Sequence, residues 1–85
     1  MGTKGKGVMI THTDDARYKA LIRWLVHERK DKGLTVRGFA ELIDESHQFV
    51  NKIETCNRKL NVFEYYQYCK ALKIEPSEGF KFFES

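Results

Sequence analysis

The 85-residue sequence lacks the features that mark several large classes of protein. It has one proline and only two cysteines, Cys56 and Cys69, which form neither a CxxC motif nor a common metal-ligand spacing. No apolar run is long enough to span a membrane, and the residues from Met1 to Gly7 lack the apolar stretch of a secretory signal. We therefore expect one small domain that works in the cytoplasm.

Patterns of catalysis and metal binding are also missing. The sequence contains no glycine-rich phosphate loop and no recognisable set of nucleophile, base and acid. The histidines His12, His27 and His47 do not combine with the cysteines in a zinc spacing. Adjacent acids such as Asp44 and Glu45 are better explained as turn residues than as catalysts. We expect a protein that is not an enzyme and that binds no metal or cofactor.

Positive charge is modest and lies mainly in the first third of the chain. The formal net charge is +3, and residues 1–33 carry eight Lys and Arg against four Asp and Glu. Residues 34–60 carry four of each, and residues 61–85 carry three against four. A basic surface is the usual electrostatic footprint of a nucleic-acid binder. Charge alone therefore does not predict DNA binding, and the order of the helices is more informative.

Apolar residues at helical spacing, together with capping residues, predict an all-α domain of five helices over residues 14–85. Residues 1–13 are predicted to form a flexible arm, whose Lys4 and Lys6 could touch DNA. The predicted helices are 14–32 before Gly33, then one after each of the N-caps Thr35, Ser46 and Asn61, and a short one from Pro76 toward Phe83. The residues of the fourth helix that are expected to be available for packing are Val62, Tyr65, Tyr66, Cys69 and Leu72.

The segment 34–54 has the pattern of two short helices joined by a tight turn. On the second helix, Phe49, Val50 and Ile53 are predicted to face inward. The residues left outside are Ser46, His47, Gln48, Asn51 and Lys52. Glutamine and asparagine can pair with adenine edges and lysine with guanine acceptors, and a helix N-terminus can accept a phosphate. Because any surface helix has a polar face, a generic helical bundle remains an equal alternative at this point.

Several short motifs of the chain resemble one known family. They are Gly33-Leu34-Thr35, Phe39-Ala40-Glu41, Gln48-Phe49-Val50-Asn51-Lys52-Ile53-Glu54 and Arg58-Lys59-Leu60-Asn61-Val62, followed by Glu64, Ala71-Leu72 and Pro76. Their order and spacing are similar to those of the Cro/phage-repressor helix-turn-helix family. The resemblance covers about residues 18–83. It implies a five-helix, lambda-repressor-like domain whose second and third helices form the unit that reads DNA.

The resemblance also implies roles for individual residues. Bases would be contacted by His47, Gln48, Asn51 and Lys52. Phosphates would lie near Thr35, Arg37, Ser46, Asn57, Arg58 and Lys59. Arg29 and Glu54 would form a structural ion pair that holds the reading helix at its angle.

Some positions depart from the family pattern. Asp44 stands at the position of the turn glycine, and Cys56 replaces the glycine after the third helix, so Asn57 is expected to take the left-handed conformation there. Gly38 lies inside the second helix and should weaken it by ~1 kcal/mol relative to alanine. Asp44 and Glu45 also place negative charge close to the expected DNA face.

Aromatic residues are numerous for so short a chain. Trp24 and Tyr65 are expected to be core residues with partial exposure, whereas Phe80, Phe82 and Phe83 are predicted to form a dimer interface. Two functions follow as alternatives. The first is a homodimeric, sequence-specific DNA-binding regulator, most simply a repressor. The second is a protein-interaction module, such as the antitoxin that binds the toxin of a toxin–antitoxin pair.

Overall fold

A computed structural model of the chain describes residues 14–84; the expected arm over residues 1–13 lies outside this range, as does Ser85. The described residues form five α-helices and no strand, as predicted. The helices are α1 (Ala16–Asp31), α2 (Val36–Leu42), α3 (His47–Glu54), α4 (Val62–Leu72) and α5 (Pro76–Phe80), and a 3₁₀ helix (Lys81–Phe83) follows α5. None of these helices has the length and apolarity needed to cross a membrane.

The first helix is slightly shorter than the sequence suggested. Asp15 is its N-cap, because the carboxylate accepts the backbone N–H of Arg17 at 2.8 Å and that of Tyr18 at 3.4 Å. Hydrogen bonds from the Arg17 side chain and backbone lower the pKa of Asp15 to about 2. At the other end, Gly33 has φ +71°, the left-handed conformation expected of the residue after a helix. The chain can therefore turn sharply from α1 into α2.

Three further N-caps are confirmed. The side-chain oxygens of Thr35, Ser46 and Asn61 each accept the backbone N–H three residues later, at 2.8–3.1 Å. At Thr35 this donor is Gly38, and a Cβ added to Gly38 would lie only 3.2 Å from the capping Oγ1. A Cβ at Gly38 would therefore crowd the cap slightly, which opposes the gain in helix propensity that alanine would bring.

The core is built from all four longer helices. Phe39 of α2, Val50 and Ile53 of α3, and Leu72 of α4 are completely buried. Tyr68 packs edge-on against Phe39, with the ring centroids 4.7 Å apart. Burial raises the pKa of Tyr68, and its hydroxyl has no hydrogen-bond partner within residues 14–84. The fold thus keeps one polar atom in an otherwise apolar centre.

The outer side of α4 differs from expectation. Val62 is 84% exposed and Tyr66 is 50% exposed, so the prediction that they pack inside was wrong. Tyr65, Tyr68, Cys69 and Leu72 occupy the buried side of the helix instead. The helix also ends sooner than the approach to Pro76 suggested, because Lys73 adopts a left-handed conformation with φ 59°.

The short α5 packs closely against α1 and α4 at Gly79. A Cβ added there would lie 2.2 Å from the Tyr65 hydroxyl oxygen, 2.6 Å from Leu21 and 2.8 Å from Trp24. The Tyr65 hydroxyl also donates a hydrogen bond to the carbonyl of Pro76, which fixes the start of α5. This close approach makes the C-terminal segment a part of the core.

Candidate nucleic-acid interface

The connection between α2 and α3 is a tight turn built around Asp44. This residue has φ 57°, the left-handed conformation that its place in the turn requires. The backbone N–H of Asp44 donates to Glu41, and that of Glu45 donates to Ala40 at 2.9 Å. Ser46 then caps α3. The two helices are thus joined with only four residues between them.

One side of α3 is buried and the other is open to solvent. Val50 and Ile53 are fully buried, whereas Gln48, Asn51 and Lys52 are exposed. These three side chains follow the i, i+3, i+4 spacing of a single helix face. His47 is half-buried at the start of the helix. The structure therefore brings the predicted base-contacting residues together on one polar surface.

Phe49 lies between the buried and the open sides, since it is only half-buried. The sequence predicted that it would face inward, and it does pack against the core. The Arg58 guanidinium also covers its ring, with the guanidinium carbon 4.7 Å from the ring centroid. Phe49 thus anchors the loop after α3.

Three of the predicted phosphate-contacting residues lie at the N-terminal ends of α2 and α3. Thr35 and Ser46 are exposed N-caps whose oxygens already accept backbone hydrogen bonds. Arg37 is exposed in the first turn of α2 and forms no ion pair within the described residues. Each of the two helix N-termini contributes the positive end of a helix dipole beside its cap residue.

The loop after α3 is fastened to that helix. Cys56 itself adopts the left-handed conformation, with φ 61°, so the expectation for Asn57 was wrong. The backbone N–H groups of Asn57 and Arg58 both donate to the carbonyl of Lys52, at 2.8 and 3.1 Å. The Asn57 amide also donates to the Thr55 hydroxyl at 2.9 Å. The predicted phosphate contacts Asn57, Arg58 and Lys59 are therefore held beside the end of α3.

Arg58 is not a free cation. Its two terminal nitrogens donate to both carboxylate oxygens of Glu64, at 2.8 and 3.0 Å. These hydrogen bonds lower the pKa of Glu64. Glu64 also accepts the backbone N–H of Asn61 and completes a capping box at the start of α4. A glutamate three residues after an asparagine N-cap could have indicated the capping box from sequence. No sequence pattern would have identified Arg58 as the partner of Glu64.

The acidic residues of the turn reduce the positive potential of this surface. Asp44 and Glu45 are exposed and form no ion pair within residues 14–84. Among the predicted DNA-contacting residues, the cations without an ion pair within residues 14–84 are Arg37, Lys52 and Lys59. Long-range attraction of a polyanion is correspondingly modest. Directional hydrogen bonds from the α3 face must supply most of any selectivity.

The Arg29 side chain connects α1, the segment before α2, and α3. Its Nε and Nη2 donate to the Glu54 carboxylate at 2.6 and 3.0 Å, and its Nη1 donates to the carbonyl of Leu34 at 2.7 Å. Both side chains are nearly buried, with 8% and 13% of their surface exposed. The contact links α1 to the last residue of α3 and to the start of the α2 segment. It therefore fixes the orientation of the polar α3 face.

Apolar side chains gather on another surface, which we call the α4–α5 face. Its exposed members are Val62, Phe80 and Phe83. Val62, Phe80 and Phe83 line an apolar pocket of about 180 Å³ there, together with Tyr18 and Leu21. Phe82 does not belong to this face.

Phe82 points instead toward α1, where its ring lies 5.9 Å from that of Trp24. The three phenylalanines grouped together in the sequence are thus divided between two surfaces. Consecutive positions of a 3₁₀ helix point in different directions, so adjacency in sequence does not imply a shared face.

Five helices with a capped, tightly turned α2–α3 pair define a helix-turn-helix domain of the lambda-repressor type. A solved structure of an XRE-family like protein from Pseudomonas syringae pv. tomato str. DC3000 is similar to this chain, with 30% identity and a TM-score of 0.72. The match covers 78% of this chain and 82% of that one. No protein-family model matches the sequence, and no curated protein matches it. The chain belongs to the XRE-like family of helix-turn-helix proteins.

Proposed function

We propose that this chain is a sequence-specific DNA-binding regulator that acts as a repressor in the cytoplasm. The observation that carries the proposal is the exposed face of Gln48, Asn51 and Lys52 on α3, a helix whose N-terminus is open to solvent. In helix-turn-helix proteins such a helix enters the major groove with its first residues on the base edges. Membership of the XRE-like family supports the same reading.

Each side chain of the interface has a specific role in this proposal. Gln48 and Asn51 pair with adenine edges, Lys52 donates to guanine, and His47 reaches a neighbouring base. The phosphate contacts come from Thr35, Arg37, Ser46, Asn57, Arg58 and Lys59. Arg37 and Lys59 supply net charge, whereas Arg58 shares its charge with Glu64.

The double substitution Gln48→Ala and Lys52→Ala tests the reading helix. Both side chains are exposed, so the fold should persist. Because a good base contact is worth about 1–3 kcal/mol, affinity for the preferred site should fall at least about tenfold. Fluorescence anisotropy with a specific and a scrambled duplex measures the change. Lys19→Ala on α1 is the control for loss of one charge. An unchanged preference for the specific duplex in the double variant would refute the role of α3.

We further propose that two copies pair through the α4–α5 face. Phe83 is 41% exposed on it, and a symmetric dimer buries the residue twice. Burying one such side chain contributes about 1.5–3 kcal/mol, so Phe83→Ser should weaken dimerisation at least about tenfold. Sedimentation velocity over a range of concentrations measures it. Leu42→Ser removes an exposed apolar side chain that does not line this pocket, so it should leave the dimer intact. A wild-type chain that stays monomeric contradicts this arrangement.

The second candidate function is a protein-interaction module such as an antitoxin. It is favoured by the exposed acids Asp44 and Glu45 beside α3 and by the size of the α4–α5 face. In that case the apolar face would hold a toxin in place of a second copy. A monomeric chain without DNA preference is the result that distinguishes this candidate from the first.

A further inference from the structure

A groove runs over the outer side of α1, away from its buried stripe. Its volume is about 710 Å³, and it is largely open to solvent. Its apolar lining includes Ala20, Trp24 and Phe82. The tilted contact between the last two rings, at 5.9 Å, brings the C-terminal 3₁₀ helix onto α1 and forms one wall. We call this surface the α1 groove.

Basic side chains line the same groove. Arg23, His27 and Lys30 are spaced by four and three residues, so they follow one line along α1. Neither Arg23 nor Lys30 forms an ion pair within the described residues, while His27 lies 3.6 Å from Asp31. The one acid lining the groove, Glu54, is already bound by Arg29. The net electrostatic character of the α1 groove is therefore positive.

The α1 groove is separate from the surfaces used by the proposed function. The α3 residues Gln48, Asn51 and Lys52 do not line it, and neither do Phe80 and Phe83 of the α4–α5 face. A ligand in the groove would therefore leave the base-reading face and the dimer face accessible. The inference goes beyond DNA reading and does not depend on it.

We propose that the α1 groove docks an acidic amphipathic helix of a protein partner. The apolar stripe of such a helix covers Trp24 and Phe82, and its carboxylates face Arg23 and Lys30. These two cations are seven residues apart on α1, about 10.5 Å along its axis, which is two turns of a facing helix. Acids at positions i and i+7 of the partner therefore match them.

Other occupants fit less well. A DNA backbone offers phosphates but no apolar stripe to cover an indole and a phenyl ring. A small molecule needs a pocket that encloses most of its surface, and this groove is largely open to solvent. A second copy of this chain, pairing symmetrically here, would place Arg23 and Lys30 against the same cations. Charge and shape together select an acidic helix.

A displayed library of helical 16-residue peptides, with a fixed leucine stripe and the remaining positions random, tests the proposal. The full chain is the bait in the selection. Peptides that also bind the double variant Arg23→Glu/Lys30→Glu are removed, and this step discards peptides that bind the α4–α5 face. We expect the remaining peptides to carry Asp or Glu two turns apart. Enrichment of basic or neutral peptides, or no enrichment, would overturn the proposal.

The single tryptophan of the chain, Trp24, reports occupancy directly. Titration with an enriched peptide should change Trp24 emission, and Arg23→Glu should weaken binding at least tenfold. Lys70→Glu on α4 is the matched charge reversal and should leave binding unchanged. If Arg23→Glu has no effect on peptide binding, the proposal is wrong. If duplex DNA produces the Arg23-dependent change in emission and the peptide does not, the groove is a nucleic-acid contact and the proposal is also wrong.

Discussion

Replacing Gly79 by alanine is expected to lower the free energy of unfolding by about 3 kcal/mol, at the upper end for overpacking a core. The added Cβ would approach the Tyr65 hydroxyl oxygen, Leu21 and Trp24 to between 2.2 and 2.8 Å. Real Cβ atoms do not tolerate such distances, so either α5 or the buried side chains around Gly79 must shift. Such a shift would also strain the hydrogen bond from Tyr65 to the Pro76 carbonyl. Urea denaturation followed by circular dichroism measures the loss.

Gly38→Ala is the matched control for this substitution. It also adds one methyl group to a helix, but the nearest atom is the Thr35 hydroxyl oxygen at 3.2 Å. A gain in helix propensity of ~1 kcal/mol opposes the disturbance of the cap. The net change should therefore be smaller than about 1 kcal/mol. Equal destabilisation by the two substitutions would contradict the close packing of α5.

Removing one partner of the Arg29–Glu54 pair is expected to have a still larger effect. The substitution Glu54→Ala leaves the Arg29 guanidinium without its acceptor in a nearly buried site, since only 8% of that side chain is exposed. Breaking a buried pair in this way costs about 3–5 kcal/mol. Because Arg29 also holds the carbonyl of Leu34, the connection to α2 should loosen as well. Chemical denaturation gives the stability, and hydrogen exchange shows where the structure loosens.

A double substitution distinguishes the stability that the Arg29–Glu54 ion pair contributes from the destabilisation that one unpaired buried charge causes. Arg29→Met together with Glu54→Leu replaces both charges by apolar side chains of similar size. This variant should recover most of the stability lost in Glu54→Ala, because no buried charge remains. In this variant the ion pair that joins α3 to α1 is absent, so DNA selectivity should fall even though the fold is stable. A double variant that is less stable than Glu54→Ala would refute this explanation.

Most of the fold could be predicted from local chemistry. Thr35, Ser46 and Asn61 precede apolar stripes and cap their helices as their sequence context indicated. Asp44, which stands at the position of the family's turn glycine, adopts the left-handed conformation, and Asp tolerates it better than most residues do. The left-handed conformation of Cys56, in place of Asn57, was not predictable in this way. It depends on which loop residues donate to the Lys52 carbonyl, and that is decided by how the whole loop packs.

The candidate site was predictable in its residue types and less so in its contacts. The polar face of α3 follows from helical spacing once Val50 and Ile53 are assigned to the core. Arg58 donates to Glu64 and covers the Phe49 ring. Both contacts depend on the angle between the loop after α3 and α4, and no local sequence pattern specifies that angle. The division between Phe80 and Phe82 likewise arises from the way the C-terminal turn packs on Trp24.

Selection from random duplex DNA, sequenced at several salt concentrations, tests whether α3 reads DNA. We expect an enriched inverted repeat whose half-sites lie about one helical turn apart, with affinity that falls as salt rises. The same selection with Gln48→Ala/Lys52→Ala should lose the enriched bases. An absence of enrichment with the wild-type chain, with only weak binding at low salt, would contradict the claim.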